Sequence, residues 1–254
     1  MKMETIKIKK MIDVIPEGTS TLVCGLPGIG NVGRITVDYM IDKLKMEKVL
    51  EIYSSHFPAQ VFVDREGKAH LNRNTLFYKQ ISKSKSLFVF TGDFQGNTPE
   101  GQYELSWKLL EIAREMNVNI IYTLGGYGVG KLVETPRILG AFTDSSLKQN
   151  LIKNGVKFPE GEPGGGIVGS NGLIVGLAYK FFRIQAACLM GETSGYFPDP
   201  KAALEILKTL SKLVGFRVSL MDLEERCKNL SELTEKMQSD MIDKEKKDDL
   251  GYFQ

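Results

Sequence analysis

The chain has 254 residues, 42% of them hydrophobic, enough to bury a full core as one large α/β domain or as one domain with an appendage. Lys and Arg number 33 against 31 Asp and Glu, a formal net charge of +2 built from mixed signs, with no basic block to imply a nucleic-acid partner. No stretch reaches the roughly eighteen uninterrupted apolar residues of a membrane span. Residues 1–10 alternate charged and apolar positions without the apolar core of a signal peptide. Cys24, Cys188 and Cys227 lie far apart, odd in number and outside any C-x-x-C spacing, which argues against zinc, redox and disulfide chemistry and for a reducing cytoplasm.

Residues 6–14 are compatible with an edge strand or a helical turn, and Pro16-Glu17-Gly18-Thr19 turns the chain into an apolar strand at 21–24. The loop Gly25-Leu26-Pro27-Gly28-Ile29-Gly30-Asn31-Val32-Gly33 follows. It opens a helix over 34–44, where Val37, Met40, Ile41 and Leu44 recur at helical spacing. After a strand at 49–53, two short strands at 60–64 and 75–80 flank the turn cluster Arg65-Glu66-Gly67-Lys68. They read as a hairpin, so the sheet is expected to be mixed. A buried central strand at 87–91 leads to a helix over 98–116, started by Asn97-Thr98-Pro99-Glu100.

A further buried strand at 118–124 closes on the glycine-rich 125–130. Helical residues 145–153 precede a second permissive loop, Glu162-Pro163-Gly164-Gly165-Gly166. Residues 172–182 read as a helix apolar nearly all round and therefore buried, and 183–189 as the last strand, ending at Gly191-Glu192-Thr193-Ser194-Gly195-Tyr196. An amphipathic helix spans 200–214, with Leu204, Leu207, Leu210 and Leu213 on one face. From Leu220 onward Leu223, Cys227, Leu230, Thr234, Met237 and Met241 step by four and three, a heptad seam in a charged helix. Such a seam either packs back on its own domain or serves as an oligomerisation arm. Polar residues 244–249 then lead to Leu250-Gly251-Tyr252-Phe253-Gln254. The expected organisation is an α/β domain over 1–218, a heptad helix over 219–248 and a flexible tail over 249–254.

Gly28-x-Gly30-x-x-Gly33, after a strand and opening a helix, has the form of a dinucleotide fingerprint. That reading needs an acid at the end of the next strand to hold a ribose. Glu51 is near the right distance but falls mid-strand, where alternation turns it to solvent, and Pro27 sits inside the tight turn. The loop is therefore read chiefly as a strand-to-helix turn. Strand-end loops form the ligand crevice of open α/β sheets, and here they carry two carboxylates, Asp93 and Glu192. Gly28, Gly30, Gly33, Asp93 and Glu192 are thus the candidate crevice of a small-molecule or nucleotide-binding enzyme; the alternative is that the glycines serve turns and the acids cap helices. His56 and His70 have no ligand-spaced companion and are assigned structural roles, and no metal site is expected. With no G-x-S-x-G elbow and no further histidine to serve Ser194, nucleophilic hydrolysis is not expected.

Taken together, Gly25 to Gly33 with Asp38-Tyr39-Met40-Ile41, then His56-Phe57-Pro58-Ala59-Gln60-Val61, Gly92-Asp93-Phe94-Gln95, Thr123-Leu124-Gly125-Gly126-Tyr127 and Glu192-Thr193-Ser194-Gly195-Tyr196 with Asp199-Pro200, form a familiar series. Over roughly residues 15–215 the chain resembles the proteasome assembly chaperone family, in particular its archaeal, proteasome assembly chaperone 2-like members. The resemblance implies a three-layer α/β/α sandwich like the nucleoside-phosphorylase fold, with a mixed central sheet and here a C-terminal helical extension. That fold leaves a ligase- or phosphorylase-like activity as the alternative function, although the family implies no catalysis and no cofactor. The implied partners are proteasome α-subunits or the core particle, further copies of the chain through Leu223, Cys227, Leu230, Met237 and Met241, and a homologous chaperone.

Family members engage the proteasome through a C-terminal tail of the form hydrophobic-Tyr-any. Tyr252, Phe253 and Gln254 match it except that Phe253 lacks the hydroxyl. The residues themselves point the same way: a charged spacer solvates the tip, Gly251 frees it, and two adjacent aromatics suit a partner's pocket.

Overall fold

The computed structural model describes residues 5–161 and 164–229. Its contacts divide the chain into two units, Met1–Val218 and Ser219–Gln254.

In the first unit, β1 (Ile6–Lys10) is the edge strand of the two options the sequence left open. β2 (Thr19–Cys24) follows, then a 3-10 turn at Ile29–Asn31, α1 (Val32–Leu44) and β3 (Glu47–Ser54). The expected hairpin takes a different form. β4 (Val61–Val63) pairs with β5 (Ala69–Leu71) as a separate two-stranded ribbon, and β6 (Asn74–Ser82) joins the main sheet between β3 and β7 (Lys85–Gly92). The reason lies in the side chains: Leu76 is core and Tyr78 packs against it, so β6 gains more inside the sheet than on an exposed ribbon.

α2 (Pro99–Glu115) begins where its capping signature placed it, with the Gly101 N–H donating to the Thr98 hydroxyl at 3.1 Å and proline in the first turn. β8 (Val118–Gly128), β9 (Ile138–Phe142), α3 (Lys148–Lys153) and β10 (Val156–Lys157) follow. Then come α4 (Ser170–Leu177), a π turn at Ala178–Phe182, β11 (Gln185–Thr193) and α5 (Pro200–Val214), the last capped by Asp199 accepting from the Ala202 N–H at 3.0 Å. The segment 172–182 is not buried all round: Gly176, Tyr179, Lys180 and Phe181 face solvent, while Ile174, Leu177 and Ala178 are core and Phe182 packs against it.

The nine-stranded sheet has the order β1-β3-β6-β7-β2-β8-β11-β9-β10. Its centre, β7-β2-β8-β11, is parallel; on one side β6, β3 and β1 each pair antiparallel with the strand before them, so β6 and β1 run against the centre, and on the other side β9 and β10 run against it. The sheet is therefore mixed and flanked by helices on both faces. Alternation distributes the layers. Leu22 and Cys24 of β2 and Ala186, Cys188 and Met190 of β11 share a core with Leu105, Leu109 and Leu110 of α2 and Ile174 and Leu177 of α4. On the opposite face α1 and α5 contact each other and the central strands. In the second unit, residues 221–229 are helical, with Leu223 and Cys227 buried and Glu224, Glu225 and Arg226 exposed. Leu230, Thr234, Met237 and Met241 of the seam, and the tail residues Tyr252, Phe253 and Gln254, lie outside the described residues.

The glycine loop is a packing device. A Cβ at Gly33 would stand 2.2 Å from the Leu124 carbonyl oxygen, so only glycine lets α1 approach β8 this closely. Gly30 has φ +58° and a Cβ there would meet the Thr193 side chain at 2.8 Å, pressing the loop onto β11. Gly33→Ala is expected to lower stability by about 1–3 kcal/mol, because α1 has to move off backbone rather than off a flexible side chain. Gly166→Ala, with open space around it, is expected to stay within about 0.5 kcal/mol of wild type. Chemical denaturation of the two variants checks both.

Candidate functional site

β2 sits between β7 and β8; the chain leaves β2 toward β3 on one side of it and leaves β8 toward β9 and β11 on the other, so strand order reverses between β2 and β8. Crevices of open α/β sheets form at such a point, beyond the carboxyl ends of the strands. The structure has one there, of about 560 Å³. Its walls are Gly28, Ile29 and Gly33 after β2, Gly125 to Gly128 of β8, Gly164 to Gly169 except Gly165, and Asn171 and Met190. Gln95 ties two walls together: its Nε2 donates to the Pro27 carbonyl at 2.7 Å and its Oε1 accepts from the Ser170 N–H at 2.9 Å. Asn171 fixes α4 to β8 by donating to the Leu124 carbonyl at 2.9 Å, and the Thr123 hydroxyl donates to the Asn171 carbonyl at 3.2 Å. Sequence reasoning placed Gln95 in a motif without a role; its two bonds span 68 and 75 residues, which no local pattern signals.

The candidate crevice residues do not all meet. Gly28 and Gly33 line it, and Gly30 lies under Thr193. Asp93 opens instead to a second cleft of about 440 Å³ with Arg34, Asp38, Lys48 and Arg73. Its Oδ2 accepts from the Arg73 N–H at 3.0 Å, and its own N–H donates to the Arg73 carbonyl at 3.0 Å, closing the end of the β6–β7 ladder. Glu192 is buried at the end of β11 and clamped by Arg137, whose Nε and Nη2 reach Oε1 at 2.9 and 2.5 Å and whose backbone N–H reaches Oε2 at 2.9 Å. Those hydrogen bonds outweigh burial and hold the Glu192 carboxyl below the usual carboxylate range, so it is a fixed anion rather than a proton donor. Among the described residues that line the crevice, none carries a charge. Such walls offer neither a cation for phosphate nor an acid–base pair.

Other polar groups are held in ion pairs or buried. Glu51, expected to face solvent, is 5% exposed and pairs with Lys48 at 2.9 Å, Arg73 at 3.2 Å and the Tyr53 hydroxyl at 2.8 Å. Burial pushes its carboxyl up, but the bonds from Lys48 and Tyr53 and the charges of Lys48 and Arg73 prevail and hold it low. His56 contacts Glu104 at 2.9 Å and His70 contacts Asp64 at 2.8 Å. The three cysteines are buried thiols, and burial drives Cys188 up to about 11 and Cys24 further still, so neither is a nucleophile at neutral pH. Among the described residues, no cluster of His, Cys, Asp or Glu is arranged to hold a metal ion, and no helix is long and apolar enough to cross a membrane.

Comparison with known proteins agrees with this architecture. An uncharacterized protein of Methanocaldococcus jannaschii is 37% identical over 237 residues, 93% of this chain and 90% of that protein. The crystal structure of Pyrococcus furiosus PbaB, an archaeal proteasome activator, is 31% identical, with a TM-score of 0.85 over 93% of this chain and 100% of that one. Pyrococcus furiosus PbaA, an archaeal homologue of proteasome-assembly chaperone, shares the fold at 22% identity and a TM-score of 0.76, over 98% of both chains. The model of the PAC2 family matches residues 22–238, a span that takes in both the glycine loop at the β2–β8 reversal and the Arg137–Glu192 clamp, and on that match the chain belongs to the PAC2 family.

Proposed function

We propose that this protein is a non-enzymatic, cytoplasmic assembly chaperone of the proteasome core particle. It works as a homo-oligomer whose copies present C-terminal arms. The tips, Tyr252, Phe253 and Gln254, dock on α-subunits, and the seam of Leu223, Cys227, Leu230, Met237 and Met241 gathers the arms or seats them on a homologous chaperone. The observation that carries this reading is the likeness, along nearly the whole chain, to PbaB, an archaeal proteasome activator. Several tails on one oligomer raise avidity without strong single contacts. The mass of the free protein and of its mixture with proteasome α-subunits, measured together by native mass spectrometry, tests it. A homo-oligomer and a joint species are expected; masses that never combine would remove the α-subunits as partners.

The enzymatic alternative has the uncharged crevice against it. Millimolar ATP or AMP is expected to leave the melting temperature within about 1 °C, whereas a ligand at a hundred times its Kd adds about 2.7 kcal/mol. A saturable rise in a thermal-shift titration would return the crevice to a catalytic reading.

A further inference from the structure

We infer that the outer stripe of α2 is a self-association face, on which two copies meet antiparallel about a two-fold axis at Trp107. The inference rests on the homo-oligomer reading above and adds to it a contact outside the heptad seam.

Trp107 is the single tryptophan of the chain, and it stands on the solvent side of α2, 40% exposed. Its ring lies 5.4 Å from that of Phe181 and 5.0 Å from that of Phe182, both on the π turn after α4. Tyr103, one turn earlier on α2, and Phe181 are exposed by 54% and 59%. A contiguous aromatic patch on an outer helical layer has the composition of an interface centre rather than of solvated surface.

The charges along α2 identify what covers it. Seven residues is close to two helical turns, so Glu100 and Arg114, seven before and seven after Trp107, lie on the same stripe, and both are exposed. When two α2 helices cross antiparallel with Trp107 at the axis, positions equally far from it on opposite sides face each other. Glu100 of each copy then meets the partner's Arg114, so the contact contains this pair twice. A parallel arrangement would set Glu100 against Glu100 and Arg114 against Arg114. An unrelated partner would need this pattern by coincidence, whereas a second copy supplies it by symmetry.

Sedimentation of the full chain across a dilution series, with Trp107 emission read in parallel, tests the pairing. On dilution the wild-type emission is expected to shift to the red over the range in which the mass falls. Glu100→Arg and Arg114→Glu are each expected to raise the dissociation constant of this contact about tenfold, and the double variant to return within about threefold of wild type. Arg114 also lies over the Phe182 ring at 5.4 Å. A lost stack cannot be restored by the second substitution, so rescue separates the two causes. If the single variants keep the wild-type mass at every concentration, the face is not the contact while the homo-oligomer reading stands. If both weaken and the double variant does not recover, antiparallel pairing is overturned. A wild-type chain that is monomeric throughout, with invariant emission, would remove the face and the homo-oligomer together, and loss of α-subunit binding with unchanged mass would assign the patch to that partner instead.

Discussion

Removal of residues 252–254 is expected to weaken binding to proteasome α-subunits by at least tenfold, and Phe253→Tyr to strengthen it about two- to twelvefold. On the proposed docking, the two rings supply the apolar area of a pocket-filling anchor, and truncating such an anchor takes most of the affinity of a small contact. Phe253 fills the position where a tyrosine would add a hydroxyl, and one hydrogen bond contributes about 0.5–1.5 kcal/mol net. Because several tails act together, the loss per tail is multiplied in the oligomer. Biolayer interferometry with immobilised α-subunits reads both variants. Unchanged binding after deletion takes the tail out of the mechanism, and a weaker Phe253→Tyr variant would show that the pocket is apolar throughout.

Arg137→Ala is expected to produce a large loss of stability at the end of β11. The Glu192 side chain is 8% exposed and that of Arg137 46%, so the substitution strands a buried carboxylate while removing a half-solvated partner. Breaking a fully buried pair costs about 3–5 kcal/mol; solvent around Arg137 reduces that to about 2–3 kcal/mol. In a protein of this size that is about 4–12 °C in Tm. Arg137 holds the folded pKa of Glu192 below the ordinary value of about 4.3. The stabilisation is therefore complete above about pH 4.3 and is lost as the pH falls through the folded value. The gap in Tm between wild type and variant should be constant from pH 6 to 8 and narrow below about pH 4. A gap undiminished at pH 3 would mean that packing rather than charge carries the effect.

The elements most legible in the sequence were those whose signals are local. α2 and α5 carry their own caps and proline starts, and the helix after the glycine loop shows its apolar spacing directly. β9 escaped because five residues, Ile138-Leu-Gly-Ala-Phe142, show neither alternation nor length, and only pairing with β11 makes them a strand. β6 was seen as a strand but assigned to the wrong neighbour, since pairing depends on which side chains reach the core and not on the turn nearest in sequence.

The candidate site divides in the same way. Residue type and order alone determined the family resemblance and the mixed α/β architecture. Each of these depends on local backbone geometry or on motifs contiguous in the chain. The tertiary structure decided the rest. It separated Asp93 from the crevice, joined Glu192 to Arg137 across 55 residues, buried Glu51 between Lys48 of its own strand and Arg73 of the loop before β6, and set Trp107 beside Phe181 on an outer face. Those outcomes depend on long-range pairing and on the balance of burial against charge, and both are decided only when distant segments pack together.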